Sequence, residues 1–208
     1  MKAHPQIAGY KDTGLLNIHG YLEETKVNGP GIRALVVTQG CHHGCKNCQN
    51  PETWDLNIIG ESISAFDLAK RILSNPKHEG VTYSGGEPFL QAKGLSEVSR
   101  IIREEKGLTT VCYSGYTYNE LTGNSPPPYA DLLLKQIDLL IDGRYVDGLK
   151  TNEFGAGIFR GSSNQKLWWL NPSFALKQKK FDTNKCEIHI KPSGEIIFTG
   201  FGGDTINY

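Results

Sequence analysis

Cys41, Cys45 and Cys48 lie within eight residues at the spacing C-x3-C-x2-C. One short loop can wrap all three thiolates around a single metal centre. Cysteine thiolates hold iron–sulfur clusters, usually four to a cluster. No fourth cysteine lies nearby, so three ligands on a four-iron cluster would leave one iron open to a substrate or cofactor. The competing chemistry is structural zinc, which needs four closed ligands. His42 or His43 could supply the fourth, but both sit inside the three-residue gap, an awkward geometry. Disulfides fit poorly, because the chain has five cysteines and nothing points to an oxidising compartment.

A second candidate follows at Val81-Thr82-Tyr83-Ser84-Gly85-Gly86-Glu87-Pro88. It reads as a β-branched strand ending in two glycines, an acid and a proline. Glycines there allow backbone to approach a ligand closely, and exposed carbonyls can accept hydrogen bonds from an ammonium group. Taken alone, the turn is ordinary. Placed one β-α unit after the cysteines, it makes the chain resemble the radical S-adenosylmethionine (radical SAM) superfamily. Asn28-Gly29-Pro30-Gly31-Ile32-Arg33 and Asn50-Pro51-Glu52-Thr53-Trp54-Asp55 look like the activating enzymes of glycyl-radical enzymes. Tyr113 to Thr117, Asp138 to Tyr145 and Arg160 to Gln165, in that order, resemble the activators of anaerobic (class III) ribonucleoside-triphosphate reductase. The likeness runs over about residues 14 to 170. It departs at Asn47, where many members carry an aromatic, and in a longer carboxyl-terminal part.

The resemblance implies a [4Fe-4S] cluster on Cys41, Cys45 and Cys48, with S-adenosylmethionine chelating the open iron. One electron would break the C5′–S bond, and the nucleoside radical would take a hydrogen from a backbone glycine of a partner reductase. It implies that Gly85 and Gly86 approach the methionine amino group and that Glu87 adds negative charge there. Asn47, Cys48 and Gln49 would contact the nucleoside through backbone groups. Asp142 is a weaker candidate for a ribose or methionine contact, since it also reads as a turn aspartate. Arg33 is read either as a charge beside the site or as a surface ion pair. The partners implied are a glycyl-radical enzyme, the anaerobic ribonucleotide reductase foremost, and a one-electron donor such as flavodoxin or ferredoxin. Two other functions share parts of this pattern: a radical enzyme acting on a small molecule or peptide, and a zinc-binding interaction module.

The rest of the chain must position these residues. Its 208 residues amount to one domain, with a formal net charge of zero and no long basic run, which disfavours nucleic acid as a partner. Met1 to Pro5 has no apolar core of a leader, and no stretch approaches the ~18 apolar residues of a membrane span. A cytoplasmic protein without a membrane partner is expected. Strands are expected at Ile32 to Gln39, Gly80 to Ser84, Leu108 to Tyr113 and Ile137 to Ile141. Helices are expected at Ser62 to Ser74, from about Leu95 to Gly107, and at Tyr129 to Gln136. Alternating strands and helices imply an α/β fold with a parallel sheet and right-handed crossovers. The superfamily likeness implies that this sheet is a partial parallel β/α barrel. Ligands of parallel α/β sheets sit past the carboxyl ends of strands, where Cys41 and Gly85 fall. Cys186 to Lys191 and Glu195 to Thr199, around Pro192-Ser193-Gly194, read as a β-hairpin. Residues 1–170 are thus expected to form the barrel and 171–208 a hairpin extension of the same domain. Cys112 and Cys186 are expected not to be ligands.

Overall fold

A computed structural model describes residues 14–150, 159–177, 186–190 and 193–200. Lys191 and Pro192 of the expected hairpin lie outside the described residues. In chain order the elements are β1 (Leu16–Thr25), β2 (Arg33–Thr38), β3 (Glu61–Ile63), α1 (Ala65–Ser74), β4 (Gly80–Gly85), α2 (Ala92–Lys106) and β5 (Thr109–Ser114). Then follow α3 (Tyr118–Thr122), α4 (Ala130–Leu134), β6 (Leu139–Asp142), β7 (Lys166–Trp169), α5 (Pro172–Lys177), β8 (Cys186–Ile190) and β9 (Ile196–Gly200).

Seven strands form one sheet in the order β3-β1-β2-β4-β5-β6-β7. Its centre, β2-β4-β5-β6, is parallel throughout. The connections between these strands run through α1, α2 and the α3–α4 pair, as expected from the alternation of patterns. Antiparallel strands flank the centre on both sides, β1 and β3 on one and β7 on the other. The expected helix at Ser62 starts later. Glu61–Ile63 pairs with Leu16–Ile18 as β3, and Ser64 then caps α1 by accepting a hydrogen bond from the Asp67 amide. Neither β1, β3 nor β7 was expected. β1 mixes polar and apolar residues because its middle is only half buried, and β3 and β7 are too short to show a period.

The two faces of the sheet differ, and two-residue alternation sets the difference. Ala34, Val36, Val81, Tyr83, Cys112 and Leu140 face one large core with Leu68, Ile72, Leu95, Ile102 and Leu133 of the helices. Val111, Tyr113, Leu139 and Ile141 face the other way and meet Phe159 and Phe174. The longer helices α1 and α2, with α3 and α4, cover the first face, and on the second only the short α5 brings Phe174 against the sheet. This uneven layering is that of a partial β/α barrel, whose second, inner face is left mainly to loops.

Arg33 lies on that inner face, at the amino-terminal end of β2, and is completely buried. Its Nε donates to Thr82 Oγ1 (2.9 Å), Nη1 to Pro30 O (2.9 Å) and Thr109 Oγ1 (3.0 Å), and Nη2 to Val81 O and Thr109 O (both 2.7 Å). All five N–H groups of the guanidinium are used. Its acceptors lie on β4, β5 and the loop before β2, so one side chain fastens the bottom of the barrel. Burial lowers its pKa to about 10, with Asp138 and Glu79 opposing the shift, and it stays charged at neutral pH. Arg33 is therefore neither a surface ion pair nor a site residue; it lies at the end of the strands away from the cysteines.

The hairpin β8–β9 forms a separate two-stranded sheet. Glu187 accepts from Thr25 Oγ1 and the Lys26 amide, and Thr199 Oγ1 donates to Asn28 Oδ1. It meets the barrel at the Arg33 end. Among the described residues no helix is long and apolar enough to cross a membrane.

Gly80 makes room for Arg33, since a Cβ there would lie 2.2 Å from Thr109 O and 2.4 Å from Arg33 Nη2. Gly80→Ala is expected to lower stability by about 2–3 kcal/mol, read as a fall in the urea midpoint with the slope unchanged.

Candidate active site

The cysteine loop leaves the end of β2 and returns to its own base. The Gly40 amide donates to Thr53 O (2.8 Å) and the Cys41 amide to Trp54 O (3.1 Å). Inside the loop the Cys48 amide donates to Cys45 O, and the Asn50 amide points at Cys48 Sγ (3.4 Å). The loop crosses the neighbouring strand end through two further bonds, Gly86 N to Thr38 O and Glu87 N to Gly40 O, both 2.8 Å.

Those bonds need the glycines. A Cβ on Gly86 would lie 2.3 Å from Gly40 O. Gly85 has a left-handed φ of +93°, and a Cβ there would lie 2.4 Å from Val37 Cγ1 and 2.8 Å from Thr38 N. The close approach that fixes both glycines is to the base of the cysteine loop. A β-branched residue at 86 would therefore move the cysteines as well as any ligand.

Cys41, Cys45, Cys48, Gln49, Gly85 and Gly86 come together in one open cleft at the carboxyl end of the sheet. Its other walls are His43, Trp54, Ser114, Gly115, Gly143 and Tyr145, with Gly161 and Gln165 beyond them. Three of the expected residues stand outside it. Asn47 takes a left-handed φ of +55° and donates from its side-chain amide to Asp147 Oδ2 (2.9 Å). Asp142 is buried, accepts from the Tyr118 amide (2.6 Å) and the Lys166 amide (3.1 Å), and lines a neighbouring cavity. Glu87 sits behind the cleft wall with no exposure at all.

The Glu87 carboxylate holds the site together. Oε1 accepts from the Phe89 amide (2.9 Å) and Ser114 Oγ (3.0 Å). Oε2 accepts from the Gly115 amide (2.8 Å) and lies 2.8 Å from His43 Nε2. One side chain thus joins its own turn, the end of β5 and the cysteine loop. Ser114 and Gly115 were missed as site residues, although they follow a strand end as Cys41 and Gly85 do. Gln165 performs a similar service on the far wall: its Oε1 accepts from the Gly161 and Ser162 amides and its Nε2 donates to Gly143 O. The segment Arg160 to Gln165 is held as a turn, and two of its residues also reach the cleft.

Burial raises the pKa of Cys41 to about 11 and also raises that of Cys45, with nearby amides pulling each partly back. Both thiols of the metal-free protein are protonated at neutral pH, and metal must displace their protons. Cys112 is fully buried in the helix-side core and Cys186 is exposed on β8, so neither joins the cleft.

The cleft fits the cofactors that the motifs imply. Three thiols from one loop share an open cleft with the Gly85–Gly86 backbone, whose missing Cβ atoms let that turn pack against the base of the same loop. Among the described residues no three His, Cys, Asp or Glu side chains close around a single ion. A cubane cluster does not ask for that, because each thiolate takes a different iron.

Two measurements probe this geometry. Alkylation of Cys41 in the metal-free protein should rise with pH up to about 11, because the thiolate is the nucleophile; mass mapping across the pH range checks it. Glu87→Gln turns one acceptor oxygen into a donor facing other donors. It should cost about 1–3 kcal/mol and lower the iron bound per chain, both measured on one preparation.

A family model described as "4Fe-4S single cluster domain" matches residues 27–168. The anaerobic ribonucleoside-triphosphate reductase-activating protein of Escherichia coli K12 is 34% identical over 161 residues, 74% of this chain and 99% of that protein. The protein of the same name from Enterobacteria phage T4 is 30% identical over 68% of this chain and 86% of its own length. The pyruvate formate-lyase-activating enzyme of Clostridium pasteurianum is 37% identical over 62% of this chain, but only 53% of that enzyme is spanned. Among solved structures, QueE from Escherichia coli overlaps 50% of this chain with a TM-score of 0.41 and 19% identity, too partial a likeness to bear on the assignment. With its three cysteines, its glycine-walled cleft and these relatives, the chain belongs to the 4Fe-4S single cluster domain family, among the radical SAM activating proteins of anaerobic ribonucleoside-triphosphate reductase.

Proposed function

We propose that this protein installs a glycyl radical on an anaerobic ribonucleoside-triphosphate reductase, using a [4Fe-4S] cluster and S-adenosylmethionine. The observation that carries the reading is the cleft, where the three thiols of one loop face the Gly85–Gly86 backbone and the end of β5. Relatives that share most of the chain are named as activators of that reductase. Bound together, cluster and S-adenosylmethionine supply the one-electron cleavage that lets a hydrogen atom leave an unactivated C–H bond.

Cys41, Cys45 and Cys48 hold the cluster in this reading. The Gly85–Gly86 backbone and the Cys48–Gln49 segment take the methionine and nucleoside ends of S-adenosylmethionine. Asn47 acts through its backbone and its tie to Asp147, and Asp142 acts by holding the strand end that carries Gly143. Glu87 acts from behind the wall by fixing three segments at once. The open side of the cleft admits a glycine-bearing loop of the partner, and a flavodoxin or ferredoxin supplies the electron. In this reading residues 171–208 belong to the same domain as an extension; among the described ones, Phe174 packs into the inner core and the hairpin bonds to the barrel through Glu187 and Thr199.

The similarity to a pyruvate formate-lyase-activating enzyme gives a second reading, in which the partner is another glycyl-radical enzyme. One experiment separates the two. Anaerobically reconstituted protein should carry about four irons per chain, and with a reductant and S-adenosylmethionine it should produce a glycyl-radical doublet in electron paramagnetic resonance on the reductase of its own organism. Cys41→Ala, Cys45→Ala and Cys48→Ala should each abolish cluster and doublet, while Cys112→Ala and Cys186→Ala keep both. A doublet on a formate-lyase alone would move the assignment to that partner. Cofactor cleavage stimulated only by a small molecule would sink both readings.

A further inference from the structure

His43 has a role in the cleft that the cysteine spacing does not reveal. Its side chain is only 3% exposed, yet it lines the cleft between Cys41 and Cys45. Gly115 leaves the space for it, since a Cβ there would lie 2.2 Å from His43 Cδ2 and 2.6 Å from Nε2. Tyr116 packs edge-on against the ring, with centroids 4.8 Å apart. Nε2 meets Glu87 Oε2 at 2.8 Å. Because the other partners of Glu87 are all donors, the carboxylate is an acceptor and the ring proton belongs on Nε2.

That leaves Nδ1 as an acceptor. It is buried and has no hydrogen-bond partner among the described residues. Buried polar atoms are nearly always satisfied, and an unpaired one in a cleft wall calls for a ligand. We propose that His43 is a ligand-contacting residue: Glu87 fixes the ring through Nε2, and Nδ1 accepts a hydrogen bond from an ammonium or ribose hydroxyl group of bound S-adenosylmethionine. This rests on the cofactor assignment given above for the same cleft.

The test measures S-adenosylmethionine affinity and iron content on the same anaerobically reconstituted samples, together with the resonance signal of the reduced cluster before and after the cofactor is added. His43→Phe keeps a flat ring against Gly115 and Tyr116 but has no nitrogen. It should still load iron, if less than the wild-type protein, and per loaded chain bind S-adenosylmethionine at least tenfold more weakly and blunt the change in the cluster signal. His43→Gln, which can donate to Glu87 and still offer an acceptor, should recover part of the affinity. If His43→Phe cannot hold the cluster, Gly115→Ala replaces it, because that methyl displaces the ring without touching the loop sequence; weakened cofactor binding with iron retained is then expected. Affinity unchanged in whichever variant keeps its iron overturns the proposal, as does loss of iron in all three, which would make the ring a prop for the cysteine loop. A wild-type protein that loads iron but binds no S-adenosylmethionine would instead defeat the cofactor assignment itself.

Discussion

A buried carboxylate with four donors around it is the constraint on which the site depends. Glu87 has no solvent to fall back on, so every donor it lacks would leave a charge uncompensated in a low-dielectric wall. Its donors come from its own turn, from Ser114 and Gly115 after β5, and from His43 in the cysteine loop. The loop is short of regular structure and of apolar anchors, and a network of this kind gives it one position. The glycines are part of the same arrangement. Gly86 lets the turn come within bonding distance of Gly40, and Gly115 lets the His43 ring reach the carboxylate.

The opposite end of the barrel has a cation in the equivalent position. Arg33 spends all five N–H groups on carbonyl and hydroxyl oxygens of β4, β5 and the preceding loop. Parallel strands meet only along their ladders, and their ends need other ties. Here the two ends are tied by opposite charges, one on the inner face at the bottom and one behind the cleft at the top. Only the upper one touches the elements that carry chemistry.

The hairpin follows a different logic. Its outward face carries Ile188, Ile190, Ile196 and Phe198, each about half exposed or more, while its polar residues turn toward the barrel and bond to Thr25, Lys26 and Asn28. It sits at the Arg33 end, so it does not border the cysteine cleft.

The sequence by itself determined the kind of chemistry, the alternation of strands and helices, and the end of the sheet where ligands go. These are local properties: thiol spacing, glycine at a strand end, and the two-residue and 3.6-residue periods of β2, β4, α1 and α2. The three antiparallel strands escaped it, because β1 is half buried and β3 and β7 are too short for a period to show. The roles of charged and polar residues escaped it more fully. In a linear reading Arg33 looks like a site charge or a surface ion pair, Glu87 like a charge beside the ligand, and His43 like an awkwardly placed zinc ligand. Only the tertiary structure decided that Arg33 is a bolt at the far end, that Glu87 works from behind the wall and that His43 forms part of it. The reason is physical: what a buried charge does depends on which donors and acceptors surround it. Those partners come from segments tens of residues apart, which neither composition nor periodicity brings together.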